Sequence, residues 1–139
     1  LNRGAARLLM ETGIRAATDI TGFALLGHGS EMAEKSGVRL RFSLEHLPFL
    51  PGAREYAAEW LFPGGSGRNR KCYGGGVDFT PGVPEEMREL LFTPETSGGL
   101  LAAVPPDRIE RARALFAAAR HPFWIVGEVG EGSGIEIGV

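Results

Sequence analysis

The sequence predicts a layered α+β domain in which a mixed β-sheet packs against helices. Two observations support this prediction. Segments with apolar residues at helical spacing alternate with short segments in which apolar residues occupy every second position or form continuous runs. Pro and Gly residues separate these segments, and the 139 residues contain neither an internal repeat nor an evident domain boundary. We therefore expect one domain, residues 1–139, with a single core.

The first third of the chain is expected to form a helix, a short strand and a second helix. An apolar stripe predicts the first helix, which ends at Gly13; the stripe consists of Leu1, Ala5, Leu8, Leu9 and Thr12. Residues 14–20 predict a short strand or an extended connector. Asp19 and Thr21 are both favourable N-cap residues for the second helix, which ends at Ser36–Gly37.

The middle third is expected to contain a strand, two helices and a long loop. Val38, Leu40 and Phe42 alternate with polar residues, which predicts a strand with one buried face. Residues 52–61 predict a short helix. Residues 62–82 predict a loop, because they hold seven of the 21 glycines and two prolines. A further helix is expected from Pro84 to about residue 91, since two glutamates follow the proline.

The last third is expected to form two buried strands, a helix and an edge strand. Residues 100–104 are a continuous apolar run, which predicts a central strand buried on both faces. Residues 105–107 begin a helix that ends near residue 119. Residues 123–129 predict a second apolar strand, and the alternation over residues 135–139 predicts a final edge strand.

Composition excludes several classes of protein. Glycine is frequent but follows no three-residue repeat, which excludes collagen, and 43% hydrophobic with 23% charged residues argues against disorder. A net charge of -2 favours neither nucleic acid nor an anionic membrane as a partner. Cys72, the single cysteine, allows no internal disulfide, and the sequence has neither a signal peptide nor a membrane-spanning run. We expect a soluble cytoplasmic protein.

The segment ATDITGFALLGH contains the first candidate site. It places the carboxylate of Asp19 at a strand end and two hydroxyl groups beside a helix N-terminus. An exposed carboxylate in this position can ligate Mg²⁺, and free helix amides can receive a phosphate. From spacing alone, both a helix cap and a metal ligand remain open for Asp19. A single Asp would need further metal ligands from elsewhere.

Two other segments are candidate anion or substrate sites. In PGGSGRN, adjacent glycines can expose backbone amides and an arginine offers a planar fork for phosphate; a solvated flexible loop over residues 63–76 is the alternative. In TSGG, tight packing of small residues is the alternative to ligand contact. The candidate contacts in these segments and beside Asp19 are Thr21, Ser66, Arg68, Asn69, Thr96 and Ser97.

The histidines and the cysteine indicate no catalytic centre. His28 lies seven residues after Thr21 on the same helical face, and we interpret it as a hydrogen-bonded structural residue. Cys72 has no histidine near it in sequence, which argues against a nucleophile. The histidines and Cys72 also lack the close pairing of a zinc site. We therefore assign no catalytic residue within this chain.

Four segments together resemble one enzyme family. ATDITGFALLGH, PGGSGRN, LLFTPETSGGLLAAV and WIVGEVGEG, in this order, closely resemble the carboxyl-terminal part of selenophosphate synthetase (selenide, water dikinase). The resemblance covers the chain from about Asn2, and a looser one extends to the aminoimidazole ribonucleotide synthetase superfamily. It implies the carboxyl-terminal fold of that superfamily, truncated at its amino end, without the amino-terminal ATP-binding domain. Ala24 departs from the motif, which commonly has Gly there; we expect a helix to tolerate the methyl group.

The resemblance implies an ATP- and Mg²⁺-dependent phosphotransferase. In that family ATP and selenide yield selenophosphate, AMP and orthophosphate, and ATP with its metal ions lies between two halves of the chain. The amino-terminal half supplies the reactive Cys or selenocysteine, a Lys, most metal-binding Asp residues and the dimer contacts. The motif matched by residues 17–23 supplies one further Asp, which implies that Asp19 binds Mg²⁺. This chain alone is therefore expected to be inactive.

Two other functions stay open beside the selenide-dependent phosphotransferase. One is a non-catalytic module that binds a nucleotide or a partner chain, and the other is a related ATP-dependent synthetase of the same superfamily. An upstream glycine-rich and Asp-rich domain with a Cys or selenocysteine would favour the selenide-dependent enzyme over the module.

Overall fold

The computed structural model describes residues 2–139 and contains, within them, six α-helices and six β-strands. The helices are α1 (Arg3–Glu11), α2 (Ala24–Ser36), α3 (Ala53–Ala58), α4 (Gly64–Tyr73), α5 (Glu85–Leu90) and α6 (Ile109–Ala118). The strands are β1 (Ala17–Asp19), β2 (Arg39–Ser43), β3 (Val77–Phe79), β4 (Leu100–Ala102), β5 (Gly127–Gly130) and β6 (Gly134–Gly138). Single 3₁₀ turns lie at Gly74–Gly76 and Pro106–Arg108. Within this range no helix has the length and apolarity needed to cross a bilayer.

The strands form one mixed sheet and one separate pair. The sheet has the order β3-β6-β2-β5, in which β6 is parallel to both β3 and β2 while β5 is antiparallel to β2. Strands β1 and β4 form an antiparallel pair whose register places Asp19 opposite Leu100. The predicted α+β class with a mixed sheet is confirmed.

One face of the sheet is apolar and carries the main core. Leu40 and Phe42 of β2 and Ile135 and Ile137 of β6 are buried there beneath Leu26 of α2. The alternation that predicted β2 is thus confirmed, because its burial pattern follows the two-residue period of a strand. A second, smaller cluster lies between α1 and α6; it consists of Leu9, Ile14, Ala112 and Phe116.

The opposite face of the sheet carries charged side chains in cross-strand ion pairs. Arg39 lies 2.6 Å from Asp78 and 3.0 Å from Glu136, and Arg41 lies 3.5 Å from Glu128. Asp78 and Glu128 are largely exposed and the other three groups are half-buried at the surface, so each pair contributes only modestly to stability. Their main effect is to keep this face polar and the apolar face toward the helices.

Three strand predictions need correction. The final strand, β6, is central in the sheet and not an edge strand, because β2 and β3 both pair with it in parallel. Residues 100–104 form only the short strand β4, which is half-buried in the two-stranded pair. The apolar run 123–129 contributes only its end to β5, which is exposed at the sheet edge.

The predicted loop over residues 62–82 is also wrong, because most of it is α4, a 3₁₀ turn and β3. Glycine-rich sequence has low helix propensity, but tertiary contacts decide here. Ser66 and Asn69 are buried, and Gly65 lies so close to Pro94 that a Cβ atom at Gly65 would be 2.5 Å from the proline Cγ. The missing side chain lets α4 approach the segment that follows α5.

The structure confirms the predicted carboxyl ends of α1 and α2, but not the predicted start of α2. Gly13 and Gly37 follow α1 and α2 in the left-handed conformation, with φ of +72° and +64°. Helix α2 begins at Ala24, and no side-chain hydrogen bond caps it, so the predicted capping by Asp19 or Thr21 is wrong. Leu1, part of the predicted apolar stripe, lies outside the described residues.

The start of α2 also corrects the expectation for Ala24. This residue is buried and has φ +62°, a left-handed conformation that is strained for any residue with a Cβ atom. Ala24 is therefore not an ordinary helical position. A glycine at this position, common in the family motif that the chain resembles, would adopt this backbone angle without strain.

The pairing of β5 with β2 leads to a stability prediction. A Cβ atom at Gly127 would overlap the carbonyl oxygen of Arg41, a backbone atom that cannot move away. We expect Gly127→Ala to lower the free energy of unfolding by about 1–3 kcal/mol, as overpacking does. Gly130→Ala is the matched control on the same strand, because its Cβ would meet only the flexible guanidinium of Arg41. Equal urea midpoints for the two variants would contradict this account.

Candidate functional site

Asp19 is the last residue of β1, and its side chain is exposed at the mouth of an open cleft between β1 and α1. The cleft has a volume of about 660 Å³. Within residues 2–139, no hydrogen-bond donor or cation contacts the Asp19 carboxylate. Both carboxylate oxygens are therefore available to a ligand from solvent or from another part of a longer protein.

The backbone that follows Asp19 is held by the loop before β4. Ile20 donates to the carbonyl of Gly99 at 3.0 Å and accepts from the N–H of Gly98 at 2.8 Å. The N–H of Glu95 donates to the carbonyl of Thr21 at 3.0 Å. These bonds extend the β1–β4 pairing beyond its last paired residues. They place the TSGG segment directly beside the ATDITGF segment.

A second set of bonds attaches α4 to the same loop. The side-chain amide of Asn69 donates to the carbonyls of Gly22 and Phe92, both at 3.0 Å. The hydroxyl of Ser66 lies 3.0 Å from that of Thr93. Both side chains are buried, and these polar groups bind protein atoms. That Ser66 and Asn69 contact phosphate stays a prediction. In the structure, both side chains connect α4 to the segments around Gly22 and Phe92.

His28 packs against the start of its own helix. Its Nε2 lies 3.0 Å from the Thr21 hydroxyl and 3.4 Å from the N–H of Phe23. Because an N–H can only donate, the Phe23 contact favours the tautomer in which Nε2 accepts and Nδ1 carries the proton. The hydrogen-bonded structural role predicted for His28 agrees with this geometry. His28 fixes the Thr21 hydroxyl beside the site.

An aromatic cluster supports the same turn. The ring of Phe23 lies 5.3 Å from that of His28 and 5.6 Å from that of Tyr73. Gly27 lies under this contact, since a Cβ there would be 2.7 Å from Phe23 Cβ and 2.9 Å from Tyr73 Cε2. Helices α2 and α4 therefore meet closely next to the site.

Three of the remaining predicted contacts are exposed, and the fourth is half-buried. Thr96 and Ser97 lie on the loop before β4, and Arg68 lies in the middle of α4. The guanidinium of Arg68 turns toward the amino end of α4, where a Cβ at Gly64 would be 3.7 Å from its Nη1. These three side chains are open to solvent. Thr21 is half-buried and is already bonded to His28.

Two residues of the site region were not singled out from the sequence. Arg15 lines the same cleft as Asp19, and the two-residue period of an extended segment could have placed both on one face. Glu95 turns its carboxyl over Gly98, which has no side chain to obstruct it. Partial desolvation of this carboxyl raises the pKa of Glu95 above its usual value, while the residue as a whole stays exposed. Only the packing of loops on each other produces this environment, so no sequence pattern indicates it.

The carboxylate of Asp19 suits a hard cation whose other ligands are water or phosphate oxygens. Magnesium accepts one or two carboxylates and completes its octahedron with water and phosphate oxygens. Among residues 2–139 no group of three or more His, Cys, Asp or Glu side chains could hold a metal ion alone. Asp19 therefore fits a Mg²⁺ that arrives with a phosphate ligand, and does not fit an all-protein metal cage.

Comparison with known proteins gives close relatives over nearly the whole chain. "Selenide, water dikinase" from Pelobacter propionicus is 45% identical over 132 residues, which cover 94% of this chain and 38% of that protein. The protein of the same name from Nitratidesulfovibrio vulgaris (strain DSM 19637 / Miyazaki F) is 44% identical over 129 residues, 93% of this chain and 37% of that protein. The chain thus spans less than two fifths of the length of these relatives.

A solved structure and a family description agree with the fold. Thiamine-monophosphate kinase from Stenotrophomonas maltophilia K279a superimposes with a TM-score of 0.60 at 17% identity, covering 89% of this chain and 31% of that one. At this identity the likeness concerns the fold alone. Residues 2–139 match the family described as "AIR synthase related protein, C-terminal domain". The resemblance found in the motifs is confirmed, and the chain belongs to the family of AIR synthase related protein C-terminal domains.

Proposed function

We propose that this chain is the carboxyl-terminal part of an ATP-dependent enzyme that makes selenophosphate from selenide, with AMP and orthophosphate as the other products. The observation that carries the proposal is the 44–45% identity to selenide, water dikinases over more than nine tenths of the chain. The fold neighbour, itself a kinase of a different substrate, adds no information on the substrate here.

Asp19 is proposed as the chain's ligand for the Mg²⁺ of Mg²⁺-ATP. When bound, the metal neutralises charge on the phosphate oxygens, and phosphoryl transfer depends mostly on such neutralisation and on positioning. The chain's own contribution is a carboxylate on a rigid strand end. Hydrogen bonds from the loop before β4 and from Asn69 fix the backbone after it. The exposed side chains of Arg68, Thr96 and Ser97 are proposed as further contacts with the phosphates or the substrate.

The proposal also covers what this chain lacks. One carboxylate gives Mg²⁺-ATP too few protein ligands, and no nucleophile for selenide chemistry is assigned within residues 2–139. We propose that the nucleophile, the other metal ligands and the homodimer contacts belong to the part of the relatives that this chain does not match. The isolated chain is then inactive and binds ATP weakly.

An assay of ATP cleavage, with selenide and with the substrates of related enzymes, tests this function. The full-length protein is expected to release AMP and orthophosphate from ATP only when selenide and Mg²⁺ are present, and the isolated chain is expected to release neither. Thiamine monophosphate and the precursor of an aminoimidazole ribonucleotide are the comparison arms. Selenide-independent turnover of one of these substrates would assign a different synthetase of the superfamily. Tight ATP binding by the isolated chain would favour the non-catalytic module.

A further inference from the structure

The cleft beside Asp19 has two different walls. Helix α1 contributes an apolar wall with Ala6, Leu9 and Met10, and the extended segment 14–19 contributes the other. Met10 is 67% exposed although it is apolar, so this wall is open to solvent. A volume of about 660 Å³ lies within the usual range of small-molecule sites, roughly 300–1,000 Å³.

Arg15 and Asp19 both line the cleft, and both side chains are exposed. Ile14, Ala17 and Thr18 of the same segment line the cleft as well. At about 3.3 Å per residue, the two Cα atoms are roughly 13 Å apart. A cation and an anion therefore face one cleft from two separated points.

Within the described part of the chain, neither charge is neutralised by another side chain. Among residues 2–139, Arg15 makes no ion pair or side-chain hydrogen bond, and it does not reach Asp19. Five other arginines have acidic partners within 4 Å, and these are Arg39, Arg41, Arg70, Arg88 and Arg113. The guanidinium of Arg15 thus keeps all of its donors for a ligand in the cleft.

We propose that Arg15 contacts the phosphate chain of the Mg²⁺-bound nucleotide, at a point away from the metal held by Asp19. This inference rests on the proposed function and adds a residue to it. A guanidinium binds phosphate through two parallel hydrogen bonds, and the exposed side chain of Arg15 is free to make them. The ligand that suits both charges is an extended polyphosphate with a cation at one end.

Binding measurements on the full-length protein test Arg15. We expect Arg15→Gln to weaken binding of Mg²⁺-ATP and of Mg²⁺-tripolyphosphate by about 10- to 100-fold, the loss of a charged hydrogen bond. Arg15→Lys is expected to lose less, because it keeps the charge without the planar fork. Arg7→Gln is the matched control, since Arg7 is exposed on α1 outside the cleft. All three variants should keep the wild-type melting temperature.

The two ligands separate this inference from the proposed function. Wild-type affinity of Arg15→Gln for both ligands would overturn the role of Arg15 and leave the enzyme assignment intact. A loss confined to ATP would also overturn it, because it would assign Arg15 to the nucleoside. If the wild-type protein bound neither ligand, the proposed function would fail first. Should Arg15→Gln unfold, the affinity of Arg15→Lys for tripolyphosphate decides, and an unchanged value overturns the proposal.

Discussion

Asp19→Ala is expected to abolish Mg²⁺-dependent binding of ATP by the full-length protein and its selenide-dependent ATP cleavage. Loss of even an indirect metal partner reduces affinity by roughly 10- to 100-fold, so loss of a direct ligand should cost at least about 100-fold. Asp19→Asn should behave similarly, because a neutral amide oxygen is a weaker ligand for Mg²⁺ than a carboxylate. Titration calorimetry with Mg²⁺-ATP, with and without chelator, measures the effect.

The fold should be unaffected by this change, since Asp19 is exposed and caps no helix. The control is Asp107→Ala, which removes an exposed carboxylate from the single turn before α6. It is expected to leave binding and turnover at the wild-type level. Retained activity in Asp19→Ala, with an unchanged melting temperature, would refute the metal assignment.

Asn69→Ala is expected to lower the free energy of unfolding by about 1–3 kcal/mol. Asn69 is buried, and its amide donates to the carbonyls of Gly22 and Phe92, which would both lose a donor. The carbonyl of exposed Gly22 can bind water instead, whereas the carbonyl of buried Phe92 would be left unpaired at a cost of about 1–3 kcal/mol. Chemical denaturation with urea measures the loss. Because Gly22 lies three residues after Asp19, binding of Mg²⁺-ATP in the full-length protein should weaken as well.

Arg68→Ala, one residue earlier in α4, is the control for the loss of stability only, since Arg68 is itself proposed to contact the phosphates or the substrate. Arg68 is exposed, so its truncation should change stability by less than about 0.5 kcal/mol. Asn69→Asp tests the same contact with almost unchanged volume, because a carboxylate cannot donate to two carbonyls. If Asn69→Asp were as stable as the wild type, these hydrogen bonds would not be what holds α4 against the segments around Gly22 and Phe92.

The local periodicities predicted much of the fold. The alternation in β2 and the helical spacing in α1, α2 and α6 identified these elements, because each buries one face against a core. Glycines after α1 and α2 were identified as helix ends, since both adopt the left-handed conformation. These strands, helices and helix ends are determined by interactions between residues that are close together in the sequence.

The site was predicted less completely. The motifs led to Asp19, and the structure places it exposed at a strand end. Ser66 and Asn69 were also candidates, but their side chains bind protein atoms, and only the packed position of α4 determines that. Arg15 and Glu95 were not singled out, because their surroundings come from segments distant in the chain.

By itself, the sequence determined the class of fold, the family and the ends of two helices, and it led to the proposal that Asp19 holds Mg²⁺. Only the tertiary structure decided that the glycine-rich segment is a helix, that β6 is central and that three motif segments meet at one loop. The reason is physical: helix ends and amphipathic faces depend on neighbours within a few residues. Strand order and close glycine contacts depend on which distant segments pack together, as Gly65 does with Pro94.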